Sequence, residues 1–130
     1  MTRKPRDYDD IPGTYVFDYE RAHQGYHLNM FSMSLLKSEN RKAFLENEEV
    51  YLQKFPMTPE QRQTVLNRDW LGMVKLGGNI YYTSKIGATL GKSFQYIAAE
   101  MSGVSQQEYA DMMLKGGRTP EGNRSLSGKK

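Results

Sequence analysis

The sequence contains no cysteine among its 130 residues. Disulfide scaffolds, cysteine-ligated zinc, iron–sulfur clusters and thiol nucleophiles are therefore excluded. It also has no apolar run near the about 20 residues that a membrane-spanning helix needs. The amino terminus, MTRKPRDYDD, lacks the apolar region of a secretory signal peptide. These absences predict a cytoplasmic protein without a membrane segment.

A basic surface is missing from the central part of the chain. The net charge is +3, but five cations lie within residues 115–130 against one acid, Glu121. Residues 11–114 carry ten cations and eleven anions. Because a nucleic-acid-binding domain normally has a basic face on its folded body, we expect no nucleic-acid partner.

The sequence is short of the residues that build rigid cores. Leu, Ile, Val and Phe together number 25, whereas Met and Tyr contribute another 17. The Tyr hydroxyl needs a hydrogen-bond partner, and Met packs adaptably against irregular surfaces. The length allows one domain. The composition therefore favours a single domain that packs against another protein as a subunit.

Capping residues and the helical spacing of apolar residues predict an all-α fold, a small irregular helical domain. Asp18 is placed to cap a first helix, which Gly25 ends. Apolar residues at helical spacing follow from Leu28. Ser38 is predicted to cap a further segment that Pro56 stops.

Two capping boxes predict helix starts in the second half of the chain. Thr58 and Gln61 form the first, and the predicted helix continues to the glycine pair at 77–78. Ser105 and Glu108 form the second.

The segment between these helices is ambiguous. Residues 79–86 suit either a strand or a short helix. Residues 87–92 are predicted to form a loop, and Ser93 to cap a helix that runs through Glu100. The chain as a whole, 1–130, is predicted to be a single domain. Its predicted parts are an extended N-terminal arm (1–12), a helical body (13–117) and a flexible basic tail (118–130).

The run from Gly87 to Ser93, GATLGKS, ends like a phosphate-binding P-loop. A P-loop needs four residues between its two glycines, so that successive backbone N–H groups wrap the phosphate, and here there are three. The sequence also lacks the alternating strands and helices into which P-loops are built. The pattern favours a glycine-hinged loop near a ligand or an interface.

The two histidines of the chain lie close to an acid. Glu20, His23 and His27 have a spacing that would bring them to one side of a continuous helix, as a non-haem iron site requires. Gly25 interrupts that helix. The pattern therefore favours polar surface histidines over a metal site, and we predict no metal ligands in this chain.

The segment Lys92-Ser93-Phe94-Gln95 occupies a predicted loop–helix junction. Free N–H groups at a helix start attract anions, Lys92 would add to this, and Phe94 could cover an aromatic ligand. Alternatively, Ser93 is only a cap and Phe94 belongs to the core. The residues alone leave both readings open and support only a helical accessory or interaction subunit.

Along nearly its whole length the chain resembles the small (alpha) subunit of the two-subunit protocatechuate 4,5-dioxygenases. The resemblance rests on the order and spacing of short runs over most of the sequence. These runs are DIPGT (10–14), VF (16–17), RA (21–22), GY (25–26), LN (28–29), MSL (33–35), ENR (39–41), RD (68–69), GGN (77–79), GKSFQ (91–95), EYA (108–110), GGR (116–118) and RS (124–125).

The resemblance implies a division of labour between two subunits. The large (beta) subunit holds Fe(II) through two histidines and a glutamate, and the alpha subunit packs over the active site as a lid without an iron ligand. An α2β2 heterotetramer is implied. The product from protocatechuate and O2 is 4-carboxy-2-hydroxymuconate semialdehyde, and gallate or another carboxylated catechol stays open as the preferred substrate.

The resemblance also identifies an expected substrate-binding residue. An aromatic residue of this subunit is placed at the substrate pocket within the run GKSFQ, which points to Phe94. Lys92, Ser93 and Gln95 are its expected neighbours at the pocket, and no catalytic residue is expected in this chain. The alternative, from another functional class, is a helical adaptor or regulatory subunit that never contacts a catalytic pocket.

Overall fold

The computed structural model describes residues 6–11 and 14–117. Within these ranges the chain is all α-helical, as predicted, and contains no strand. The helices are α1 (Tyr19–Gln24), α2 (Tyr26–Ser34), α3 (Ser38–Glu46), α4 (Glu48–Leu52), α5 (Pro59–Leu66), α6 (Trp70–Lys75), α7 (Ile80–Thr89), α8 (Phe94–Ser102) and α9 (Gln106–Leu114). The predicted basic tail, 118–130, lies outside the described residues, and the division into arm, body and tail stays a prediction.

The predicted helix starts at four capping residues are confirmed. Asp18 accepts a hydrogen bond from the backbone N–H of Arg21 in α1, and α1 ends before Gly25 as predicted. Both capping boxes are formed, by Thr58 at α5 and by Ser105 at α9. Ser93 caps α8, which runs beyond the predicted Glu100 to Ser102. These caps act within three residues, so sequence was sufficient to locate them.

Two predicted continuous segments are each divided into two helices. Ser38 is the first residue of α3 rather than its cap, and Asn47 separates α3 from α4. The Asn47 side chain accepts from the N–H of Val50 at 3.2 Å and so starts α4. The long helix predicted from Thr58 is likewise interrupted between α5 and α6, where Asp69 accepts from the N–H of Gly72 at 3.0 Å. In both cases a second cap overrides the helical periodicity.

The ambiguous segment 79–86 is helical. Asn79 caps α7 by accepting from the N–H of Tyr81 at 2.8 Å. Thr83 and Ile86, three residues apart, are buried on the same side of the helix. The predicted loop at 87–92 is wrong in its first half, because α7 continues through Thr89.

The core contains an aromatic cluster and a second group of buried side chains, the aliphatic layer. Neighbouring rings among Phe31, Phe44, Tyr51 and Phe55 have centroids 5.4 to 5.9 Å apart. The aliphatic layer consists of Met73 of α6, Ile86 of α7 and Ile97 of α8, each at most 1% exposed. This second layer holds α6, α7 and α8 together, and these three helices carry the candidate site.

The α1–α2 junction lies directly against the α6–α7 junction. A Cβ atom on Gly25 would come within 1.9 Å of the carbonyl oxygen of Gly77. Two buried amide side chains link the same junctions. Gln61 donates to the carbonyl oxygens of Gln24 and Leu76 at 3.1 and 3.0 Å, and Asn29 donates to that of Gly77 at 3.1 Å. Backbone contact and buried hydrogen bonds together fix α1 relative to α6.

Arg68 connects the α5–α6 turn to α4. Its backbone is left-handed, with φ of 55°, which costs a non-glycine residue free energy. The guanidinium forms a two-pronged ion pair with Glu48 at 2.6 and 2.7 Å. Hydrogen bonding to Glu48 raises the pKa of Arg68 above its usual value, so the guanidinium stays charged. The ion pair holds the strained turn against α4.

Glu48→Gln is expected to lower the free energy of unfolding by about 1 kcal/mol. The substitution removes the negative charge that pairs with Arg68, while the backbone of the turn stays strained. Urea denaturation of the variant measures the loss. Glu49→Gln is the matched control, since Glu49 also lies in the first turn of α4 and has the same charge effect at the helix start. Equal losses in the two variants would contradict a specific role for the pair with Arg68.

Candidate functional site

Phe94 is the first residue of α8 and projects from the surface of the chain. Ser93 accepts a hydrogen bond from the N–H of Tyr96 at 3.0 Å and fixes the start of the helix. The Phe94 side chain is 57% exposed, so the alternative that placed it in the core does not hold. The ring is therefore held at a fixed position on the surface, where a partner or a ligand can contact it.

Phe94 lines an open groove of about 500 Å³. One wall is a face of α8, where Phe94, Ala98 and Met101 recur at helical spacing. Side chains of α6, α7 and the segment before α1 complete the groove. These lining residues are Tyr15, Leu71, Val74 and Ile80, and Ser102 at the end of α8 also lines the groove. The groove is therefore mainly apolar, with two hydroxyl-bearing residues.

Sequence reasoning missed most of the residues around Phe94. The spacing of Phe94, Ala98 and Met101 could have revealed the α8 wall, because it follows the helical period. Tyr15 and Leu71 could not have been found in this way. They are distant in sequence, and only the packing of their segments brings them to the groove.

The other three predicted site residues do not line the groove in the described part of the chain. The Lys92 ammonium lies 4.8 Å from the centre of the Tyr96 ring. Gln95 accepts from the side chain of Gln106 at 3.1 Å, and Ser93 accepts from the same amide at 3.4 Å. The contacts of Gln95 and Ser93 with Gln106 tie α9 to the start of α8, where Phe94 lies.

Tyr96 follows this junction, and the pKa of its hydroxyl is shifted. The nearby negative charge of Glu100 raises the pKa of the Tyr96 hydroxyl above its usual value. The phenol therefore stays protonated well above neutral pH. Tyr96 keeps a neutral ring beneath the charge of Lys92.

The GKS run does not form a phosphate cradle. Gly87 lies inside α7, where a Cβ atom would come within 2.3 Å of the Ile97 side chain. The N–H of Lys92 is already donated to the carbonyl oxygen of Gly87 at 2.8 Å. Gly91 adopts a left-handed backbone with φ of 77° and makes the turn between α7 and α8. The glycines serve helix packing and a turn, and the turn delivers Phe94 to the groove.

Glu20, His23 and His27 are not assembled into a metal site. Gly25 separates α1 from α2, both histidines are exposed, and Glu20 forms an ion pair with Arg6. Over residues 6–11 and 14–117 no three His, Cys, Asp or Glu side chains are grouped so as to hold a metal ion. The donor set that Fe(II) requires is therefore not met by the described residues of this chain. None of the helices in that same part combines the length and apolar character that crossing a membrane requires.

Comparison with known proteins identifies the family of this chain. Residues 28–114 match the family described as aromatic-ring-opening dioxygenase LigAB, LigA subunit. The chain belongs to the LigA family. The matched range runs from the third residue of α2 to the end of α9 and includes Phe94, whereas α1 and Tyr15 lie before it.

A named relative of this LigA-family chain is the gallate dioxygenase of Pseudomonas putida. The two are 31% identical over 101 residues, which cover 78% of this chain and 30% of the relative. The chain thus spans less than a third of the length of that relative.

Proposed function

We propose that this chain is the small subunit of an extradiol dioxygenase that opens the ring of protocatechuate with O2 between carbons 4 and 5, giving 4-carboxy-2-hydroxymuconate semialdehyde. It packs over the active site of a large subunit as a lid, in an α2β2 heterotetramer in the cytoplasm. Fe(II) is held by the large subunit, as the resemblance implies. The chain itself supplies no catalytic residue.

The observation that carries this proposal is the exposed Phe94 ring in a groove of a LigA-family chain. A ring that is 57% exposed at a rigidly capped helix start is available to a partner's pocket. There it forms an apolar wall that excludes water and orients a flat substrate ring. Ser93, Gln95 and Lys92 hold this wall in place through their contacts with α9 and Tyr96.

Gallate is the second candidate substrate, favoured by the name of the Pseudomonas putida relative. Gallate carries one more hydroxyl group than protocatechuate and shares its carboxylate. The groove has Tyr15 among its lining residues, and a phenol hydroxyl can hydrogen-bond the additional hydroxyl group of gallate. The same lid therefore accommodates either acid.

Anaerobic co-purification of the chain with its large subunit, followed by oxygen uptake, tests the proposal. We expect the complex to consume one O2 per protocatechuate and to form the ring-opened semialdehyde, with the large subunit alone much less active. A higher kcat/KM for gallate would reassign the substrate. A stable complex without activity on either acid would instead favour the adaptor function, and recovery of the chain without an iron-bearing partner would contradict the subunit assignment.

A further inference from the structure

One side of the groove beside Phe94 is formed by a short segment that belongs to no helix. This segment, residues 14–18, directly precedes α1, and we call it the strap. Its residue Tyr15 lines the groove together with side chains of α6, α7 and α8. The Lys75 ammonium and the Arg21 guanidinium carbon lie 5.5 and 5.8 Å from the centre of the Tyr15 ring. Tyr15 thus connects the strap to the helices around the groove.

The two ends of the strap are attached in different ways. At its C-terminal end, Asp18 caps α1 by accepting a hydrogen bond from the N–H of Arg21 at 3.0 Å. At its N-terminal end, the N–H of Thr14 donates to the carbonyl oxygen of Ile11 at 3.2 Å, which links this end to residues 6–11. Capping fixes Asp18 to the helix. The position of the strap on the groove therefore depends on where residues 6–11 are held, with Asp18 as the pivot.

Two side-chain contacts hold residues 6–11 on α1 and its cap. The Tyr8 hydroxyl donates to Asp18 Oδ2 at 2.6 Å, a short hydrogen bond to a charged acceptor. The Arg6 guanidinium forms an ion pair with Glu20. The side chains of this pair are 35% and 34% exposed, so dissolved salt screens their attraction. Salt is therefore expected to weaken the second contact more than the first.

Polar atoms at the same junction are buried without a partner. Glu20 Oε2 and Arg21 Nε have no hydrogen-bond partner among the described residues. Burying such atoms unpaired costs free energy, because each loses its hydrogen bonds to water. Glu20 pairs with Arg6, and Arg21 lies over the Tyr15 ring, so both contact parts of the chain that would move with the strap. Opening would return these atoms to water and so offset part of the loss of the two contacts.

We propose that the strap is a movable side of the groove, shut in this structure by the contacts of Tyr8 and Arg6. When these contacts break, the strap pivots at Asp18, Tyr15 leaves the groove, and the apolar side chains beside Phe94 become accessible. This motion belongs to the chain itself and does not depend on the proposed reaction. The strap and residues 6–11 precede the range that matches the LigA family, so the family match does not cover them.

Incubation of the full chain with hydrogen peroxide, followed by peptide mass spectrometry, measures this opening. Met101 lines the groove and is partly buried, so withdrawal of Tyr15 exposes its sulfur. In a double variant carrying Tyr8→Phe and Arg6→Gln, we expect Met101 to oxidise about threefold faster or more, relative to Met113. Met113 is 51% exposed and does not line the groove, so it reports the general reactivity of methionine in each sample.

Tyr19→Phe is the matched control. Tyr19 directly follows Asp18 and is 84% exposed, so loss of its hydroxyl leaves the strap contacts intact. We expect the rate at Met101 to stay unchanged in this variant. An equal rise in Tyr19→Phe, or an unchanged Met101 rate in the double variant, would overturn the proposal. Faster oxidation of Met73, which is 0% exposed, would also overturn it, because the change would then come from loss of the core.

Salt provides a second test that needs no variant to open the strap. Raising NaCl from about 50 mM to about 500 mM is expected to speed Met101 oxidation in the wild type but not in Arg6→Gln, which already lacks the ion pair. Hydrogen exchange of residues 14–18 is expected to rise in parallel. A wild-type rate independent of salt, or an equal salt effect in Arg6→Gln, would contradict a strap held by Arg6 and Glu20.

Discussion

Phe94→Ala is expected to lower kcat/KM for protocatechuate roughly ten- to hundredfold in the assembled enzyme, because loss of the ring lets water enter and leaves the substrate loosely oriented. The free chain loses little stability, since Phe94 is more than half exposed and lies outside the core. Phe94→Tyr keeps the aromatic wall and is expected to retain most of the activity. Oxygen uptake with co-purified complexes measures the effect.

Tyr26→Ala is the matched control for this experiment. Tyr26 is also the first residue of a helix and is 55% exposed, close to the 57% of Phe94, but it does not line the groove. We expect its replacement to leave kcat/KM nearly unchanged. Unaltered kinetics in Phe94→Ala for every catechol, with assembly intact, would show that the ring does not reach the catalytic pocket.

Gly25→Ala is expected to destabilise the chain by about 3 kcal/mol and to lower Tm by roughly 10 °C. The backbone of Gly25 has φ of −96°, which alanine adopts without strain, so the effect is steric. The added Cβ would lie 1.9 Å from the carbonyl oxygen of Gly77. The backbone there cannot move freely, because Gln61 and Asn29 hold both junctions.

Gly103→Ala separates this steric effect from backbone strain. Gly103 has a left-handed φ of 74°, and a Cβ there meets no heavy atom within 4 Å. We expect its replacement to lower the free energy of unfolding by only about 1 kcal/mol, because alanine must adopt the left-handed backbone. Thermal unfolding of both variants is the measurement. A Gly25→Ala loss no larger than that of Gly103→Ala would contradict the close backbone approach.

The helical fold and four of the nine helix starts in the described residues could be predicted from the sequence. The caps at Asp18, Thr58, Ser93 and Ser105 each involve a side chain and an N–H within three residues, so local order is sufficient. The breaks at Asn47 and at the α5–α6 turn escaped prediction. The strained turn at Arg68 depends on Glu48, twenty residues away, and no local pattern reveals that partner.

The sequence by itself determined the all-α class and the capped start of α8, and through family resemblance it led to the prediction that Phe94 binds substrate. Tertiary structure alone decided that Phe94 is exposed, that it shares a groove with Tyr15, and that Gly25 is a contact point as well as a helix stop. The physical reason is the distance along the chain over which each interaction acts. Capping and periodicity operate over a few residues, whereas the groove arises from packing between segments that lie far apart in the chain.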